Sequence, residues 1–224
     1  MDSVRVIEIK ENIFKANIDQ ADELRDELKK KGTLLINLMS SPGSGKTTTL
    51  MKTLAYLQDK YKIAVMEADI DSKVDAETIS TLGKVEAIQL HTGGMCHLTA
   101  DMTKQGIDSL SSDNYDLIII ENVGNLVCPA EFDTGAHINV NILSVPEGDD
   151  KPLKYPLMYQ VCQLFLFNKL DVAPYFDFSL DRAKQNVLMR NKDACFIEVC
   201  AKTGKGCDKF AEWLEKEILK IKEN

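Results

Sequence analysis

Apolar residues along this chain fall into short continuous runs, separated by segments in which they recur every three or four positions. "TLLINLMS", "KIAVMEA", "EAIQL", "YDLIIIENV", "INVNILSV", "QLFLFNKL" and "ACFIEVC" have the length and composition of strands. The most continuous of them predict strands buried on both sides, as in a parallel sheet. Helical periodicity lies between the runs. "KTTTLMKTLAYLQDKY" places Leu50, Leu54 and Leu57 on one face, and further helices are expected at 75–83, 97–111, 154–162 and 179–191. A last amphipathic helix, Lys205 to Lys222, carries Phe210, Trp213, Leu214 and Leu219. The alternation predicts an α/β fold, a mostly parallel sheet with helices on both faces.

One segment stands outside this alternation. "ANIDQADELRDELKKKG" reads as a charged N-terminal helix ending at Gly32 and packed through Ile18, Leu24 and Leu28. It is either a solvated helix or a contact for another chain. The expected division is a helical extension, residues 1–32, followed by one domain, residues 33–224.

Composition narrows the class. The chain has 224 residues, 44% of them hydrophobic, enough for one sizeable core. Its formal charge of −8, without a basic stripe, excludes tracking of a nucleic-acid backbone. No apolar run reaches the roughly 18 residues of a membrane span, and "MDSVRVIEIKENIF" lacks a signal-peptide core. A cytoplasmic protein with no membrane partner is expected. In that compartment the six cysteines read as buried apolar groups or metal-binding thiols rather than disulfides.

The chemistry begins at "SSPGSGKTTTL". Gly45-Lys46-Thr47 close a phosphate-binding loop of the form G-x-x-x-x-G-K-[ST], although Ser40 stands where its first glycine belongs. Gly43, Ser44, Gly45 and Thr48 would wrap the phosphates with backbone N–H groups, Lys46 would lie along the β and γ oxygens, and the Thr47 hydroxyl would ligate Mg²⁺. This makes the fold a P-loop NTPase type. "FNKLDV" then ends a strand with Asn168, Lys169 and Asp171, the N-K-x-D pattern whose carboxylate accepts from guanine N1–H and the 2-amino group, so the nucleotide is read as GTP/GDP. "VCAKTG" places Ala201 and Lys202 where a base-closing loop is expected, with Cys200 in place of the usual Ser. "IIIENVGNL" matches D-x-x-G with Glu121 for Asp and Gly124 as the γ-phosphate-sensing glycine; Asn125 occupies the place of the usual Gln, so slow intrinsic hydrolysis is expected. Among Glu67, Asp69, Asp71 and Asp75 in "MEADIDSKVDAE", Asp69 is the acid expected near Mg²⁺, together with Thr47 and Glu121.

A second constellation, "HTGGMCHLTADM" and "VGNLVCPAEFD", brings His91, Cys96, His97 and Cys128 close to the switch segments. Both thiols are expected at the C-terminal ends of neighbouring parallel strands, where α/β folds build sites. Two thiolates and an imidazole suit Zn²⁺ or Ni²⁺; the bland alternative is buried structural cysteines.

Taken together, "SSPGSGKTTTL", "HTGGMCHLTAD", "IIIENVGNLVCPAEFD", "SVPEGDDKPLKYP" and "NKLD" closely resemble the hydrogenase nickel-incorporation GTPases, the HypB family, from about Thr33 onward. The resemblance implies a GTP-hydrolysing nickel metallochaperone for [NiFe]-hydrogenase maturation. It also implies a nucleotide-dependent homodimer, with other maturation factors and the hydrogenase large subunit as partners. By motif position Cys96, His97 and Cys128 become the Ni²⁺ or Zn²⁺ ligands. The chain lacks the Cys-rich N-terminal motif and His-rich tract of some relatives and has only three His, which favours a transfer site over a nickel store. Lys151 and Lys154, in the EGDDKP segment and just after it, are candidates for a nucleotide contact across the dimer. Two alternatives remain. One is a urease-type nickel-insertion GTPase, whose metal motif would be Cys-Pro-His where this chain has Cys96-His97. The other is a metal-binding dimerisation module in which nucleotide is structural.

Overall fold

The computed structural model describes residues 9–69 and 74–223. Residues 1–8 of the expected extension and the acid Asp71 lie outside them. Seven strands form one sheet: β1 (Leu34–Ser40), β2 (Ile63–Asp69), β3 (Val85–His91), β4 (Leu117–Glu121), β5 (Ile138–Ser144), β6 (Leu164–Asn168) and β7 (Cys195–Glu198). Their order is β3-β2-β4-β1-β5-β6-β7, and every pairing is parallel. β1 is buried at all seven positions, as expected of a central parallel strand that is apolar except at Asn37 and Ser40.

Nine α-helices are described: α1 (Ile9–Lys30), α2 (Lys46–Leu54), α3 (Val74–Ser80), α4 (Ala100–Asp108), α5 (Cys128–Glu131), α6 (Lys151–Lys154), α7 (Pro156–Val161), α8 (Leu180–Leu188) and α9 (Cys207–Glu223). One face of the sheet, lined by Leu34, Ile36, Leu38, Val65 and Ile119, packs on α2, α3 and α9 through Leu50, Leu54, Ile79, Phe210, Leu214 and Ile218. The other face carries Leu35, Met66 and Ile120 against Leu24 and Leu28 of α1, and Met39 and Phe165 against α7 and α8. Each fully buried Leu or Phe contributes about 1.5–3 kcal/mol, so the two layers hold the strand ends, and hence the loops above them, in fixed register. Among the described residues no helix is long and apolar enough to cross a membrane.

Several expectations change. The segment 154–162 is not one helix: Pro156 lacks the N–H that would continue α6, and it becomes the first residue of α7 instead. The helix expected over 97–111 starts only at Ala100, capped by the Thr99 hydroxyl, which leaves Cys96 and His97 in the turn before it. Ile18 and Leu219 are about half exposed rather than packed. In α1 the inward positions are Asn17, Ala21, Leu24 and Leu28, a heptad-like spacing that turns Ile18 away by one residue, or about 100°. In α9 Ile218 and Ile221 take the inward face that Leu219 was expected to share.

Candidate functional site

All the loops at issue lie at the C-terminal edge of the sheet, where β1 has β4 on one side and β5 on the other. The phosphate loop leaves β1 at Ser40 and enters α2 at Lys46. Gly43 and Gly45 adopt positive φ, 71° and 98°, a conformation that turns successive N–H groups inward and that only glycine adopts freely. A Cβ at Gly45 would also meet Asn168 Nδ2 at 2.6 Å. Ser40, at the place of the missing glycine, is fully buried and polar in its use: its Oγ accepts from Ser44 Oγ at 2.6 Å and from Lys46 Nζ at 3.2 Å.

The residues expected to recognise the base converge on this loop. Asn168 Nδ2 donates to the Ser44 carbonyl at 2.8 Å, while its Oδ1 accepts from Lys169 N at 2.8 Å and Ala201 N at 3.0 Å. Lys169 is the one non-glycine residue with positive φ among those described, 62°, and its Nζ donates to the Gly43 carbonyl at 2.6 Å. The result is a cleft of about 360 Å³ lined by Gly45, Thr48, Asn168, Asp171, Ala201 and Lys202, a volume suited to a purine base and its sugar. Cys200, in place of Ser, is nearly buried beside it and contributes backbone to the loop closed by its bond from Cys200 N to Lys205 O.

The cation side is built by strand register. Glu67 and Glu121 are direct partners across β2 and β4, both 3% exposed, and their carboxylates cluster with Asp75. Thr47 Oγ1 donates to Glu121 Oε1 at 2.8 Å. Among the described residues Glu67 Oε1 and Glu121 Oε2 are buried without a hydrogen-bond partner, a donor set that a hard divalent cation would satisfy. Burial and the neighbouring Glu121 push the Glu67 carboxyl up to about 11, and burial raises Glu121 against the opposing pull of its hydrogen bond with Glu67, then of Lys46 and Thr47. Without a cation the pair therefore holds a proton. Asp69 ends β2 beside this site but is not a member of the cluster.

Beyond the acidic cluster lie the expected switch segment and the residues expected to bind metal. Gly124 packs on Pro42: a Cβ there would come within 3.0 Å of the Pro42 backbone. Asn122 Nδ2 donates to Asn37 Oδ1 at 2.9 Å and Asn37 Nδ2 to Asn139 Oδ1 at 3.0 Å, a buried amide ladder tying the start of this segment to β1 and β5. Four residues beyond Gly124, Cys128 opens α5. Its thiol and the donor atoms of Cys96 and His97 all lie within 4.8 Å of one another. The sequence places the two thiol loops on neighbouring strands; the structure corrects this, because β2 lies between β3 and β4 and the loops reach across its end. His91, at the exposed end of β3, stays outside the group. His97 stacks on Phe132 with ring centroids 3.8 Å apart, and burial lowers its pKa against the opposing charge of Glu131, keeping the imidazole neutral and ligand-ready. The hydrogen bond with Cys96, then burial, raises the Cys128 thiol, so binding a metal there releases a proton. All six cysteines are free thiols; Cys162, Cys200 and Cys207 are buried and Cys195 is exposed.

Lys151 and Lys154 lie apart from the cleft and are locally engaged, Lys151 over the Tyr155 ring and Lys154 with Asp150 at 2.6 Å.

The sequence profile of the "CobW/HypB/UreG, nucleotide-binding domain" matches residues 34–198. The chain is 41% identical over 215 residues to the hydrogenase maturation factor HypB of Rhizobium leguminosarum, covering 96% of this chain and 72% of that protein. Among solved structures it is similar to HypB from Helicobacter pylori in complex with nickel, with a TM-score of 0.85 and 37% identity over 92% of this chain and 96% of that one. HypB from Archaeoglobus fulgidus gives a TM-score of 0.84 and 35% identity over 91% of this chain and 99% of that one.

Proposed function

The chain belongs to the CobW/HypB/UreG family and, within it, to the HypB hydrogenase maturation factors, and from that membership we propose that it hydrolyses GTP to control the delivery of nickel during [NiFe]-hydrogenase maturation. The observation that carries this reading is the run from Gly124, seated on Pro42 of the phosphate loop, to Cys128 in the Cys96-His97-Cys128 cluster. A change at the γ-phosphate moves a metal ligand four residues away.

In this reading Gly43, Ser44, Gly45 and Thr48 hold the phosphates, Lys46 leaves Ser40 to neutralise the β and γ oxygens, and Asp171 accepts from the guanine edge. Asn168, Lys169, Ala201 and Lys202 shape and close the base pocket. Thr47, Asp69 and Glu121 hold Mg²⁺, which would offset phosphate charge; Glu67 and Asp75 extend that acidic shell. Asn125, in place of a water-positioning Gln, makes intrinsic turnover slow. Cys96, His97 and Cys128 hold Ni²⁺ or, in its absence, Zn²⁺, because both ions accept thiolate and imidazole. The active form is a cytoplasmic homodimer assembled with GTP, which passes nickel to the hydrogenase large subunit together with other maturation factors; Lys151 or Lys154 reaches the partner's nucleotide. Residues 33–224 form the GTPase domain and the preceding helix is its extension.

Phosphate release from GTP by the wild type and Lys46→Ala tests the enzyme reading. Turnover by the wild type that is lost in the variant, with ATP a poor competitor, is expected. Equal background rates would leave nucleotide a structural role, and preference for ATP would overturn the role of Asp171.

A further inference from the structure

The two loops that carry the metal ligands are joined by a residue of neither. Asn17 of α1 is 5% exposed. Its Oδ1 accepts from Ala100 N at 3.0 Å, and its Nδ2 donates to the Asp133 carbonyl at 2.9 Å. Ala100 is the first residue of α4, three positions after His97, and its N–H is one of the helix-end donors with no partner inside the helix. Asp133 lies five positions after Cys128 and directly follows Phe132, the ring on which His97 stacks. One side-chain amide thus uses its donor and its acceptor to span both ligand arms.

The rest of α1 holds that bridge in place. Arg25 donates Nε to the Ala136 carbonyl at 3.0 Å and forks onto both Asp133 carboxylate oxygens at 2.9 and 2.8 Å. Gly135, at φ +78°, lies so close that a Cβ would meet Leu24 Cδ2 at 2.8 Å. The 132–137 loop is therefore pressed onto α1, and Leu24 and Leu28 seat α1 in the sheet core. A displacement of α1 pulls on both arms at once.

We propose that Asn17 is a positioning residue for the metal site, setting the separation of Cys96 and His97 from Cys128 so that metal affinity depends on how α1 is seated. This rests on the reading of those three residues as metal ligands. An outer residue that orients ligands is worth about 10-fold to 100-fold in metal affinity. It makes the helix that precedes the nucleotide-binding fold an input to the metal site, independent of the nucleotide.

The test is nickel titration of the full chain, wild type against Asn17→Ala, followed by the sulfur-to-nickel charge-transfer absorption, with GDP affinity measured in parallel. The expected result is about a tenfold or greater loss of nickel affinity and a shifted absorption band, with GDP affinity unchanged. Asn17→Asp serves as the second variant where alanine does not fold. It keeps the acceptor for Ala100 N, loses the donor to Asp133, and is expected to weaken nickel in the same direction. A metal-free readout accompanies these: alkylation of Cys96 and Cys128, referenced to exposed Cys195, should change in rate in the variants. Wild-type nickel affinity, band position and alkylation rates in a folded variant would overturn the proposal. Cys96→Ala separates the two ideas, because nickel binding that survives it removes the metal-site reading itself.

Discussion

Replacing Asn168 with alanine should disconnect the base pocket from the phosphate loop. The side chain, 1% exposed, makes three hydrogen bonds, to Ser44 O, Lys169 N and Ala201 N. Each contributes about 1 kcal/mol net, so their loss costs on the order of 3 kcal/mol. Part returns, because Lys169 at φ 62° can relax from a left-handed conformation worth about 1 kcal/mol of strain. The net expectation is about 2 kcal/mol of lost stability in the nucleotide-free chain, measured by urea unfolding. Binding must then reassemble the Asn168–Asp171 and Cys200–Lys202 arms before Asp171 can meet a base. At 1.4 kcal/mol per decade, a cost of 2–3 kcal/mol lowers guanine-nucleotide affinity by about 30-fold to 140-fold, read with a fluorescent GDP analogue. Asn168→Asp, which keeps both acceptor contacts and loses only the Ser44 bond, should fall between. Wild-type affinity in a folded Asn168→Ala chain would refute the claim that this side chain couples the two loops.

Three other outcomes follow from the geometry. Gly135→Ala places a Cβ 2.8 Å from Leu24 Cδ2 at φ +78°, and a melting experiment should show a loss of about 2 kcal/mol or more. Burial would raise the Asp149 carboxyl, but hydrogen bonds from Arg182 and Ser179 N outweigh it and hold the group below its ordinary range. That contribution is fully present above the unfolded carboxylate pKa of about 3.9 and fades as pH falls through the lower folded value. Arg182→Gln should therefore destabilise at pH 7 and converge with the wild type in acid unfolding curves. Glu67 has the opposite sign. Raised to about 11, it favours the fold below the unfolded pKa and costs stability as pH rises toward the folded one. Glu67→Gln should thus stabilise the metal-free chain at pH 8 and not at pH 4, at up to about 1.4 kcal/mol per pH unit, while weakening Mg²⁺ binding. A gain of the same size at both pH values would contradict the shared proton.

The parallel sheet was legible because β4 and β6 are apolar up to their last residue and β1 is interrupted only at Asn37 before Ser40, the composition of strands buried on both faces. The cleft beside the phosphate loop was legible too, since Asn168 ends β6, Lys169 and Asp171 follow it at fixed spacing, and all three line it with Gly45 and Ala201. What periodicity could not supply was register and strand order. Only pairing places Glu67 opposite Glu121, and only topology puts β2 between the two ligand loops. The inward role of Asn17 was hidden for a related reason. A polar residue on the buried face of α1 shifts the apparent stripe by one position and makes Ile18 look like core. Phe132 and Pro42 lie inside the quoted motifs, but their contacts with His97 and Gly124 could not be read there, because those partners are distant in sequence.

In the proposed function, nucleotide state and metal affinity form one coupled system through the segment from Gly124 to Cys128. Nickel titration of the wild type in GDP and in a non-hydrolysable GTP analogue tests it most directly. Different nickel affinities are expected in the two states, and, by reciprocity, nickel must change the ratio of the two nucleotide affinities by the same factor. Identical nickel affinity in both states, with Cys96→Ala confirming that the bound nickel occupies this site, would contradict it.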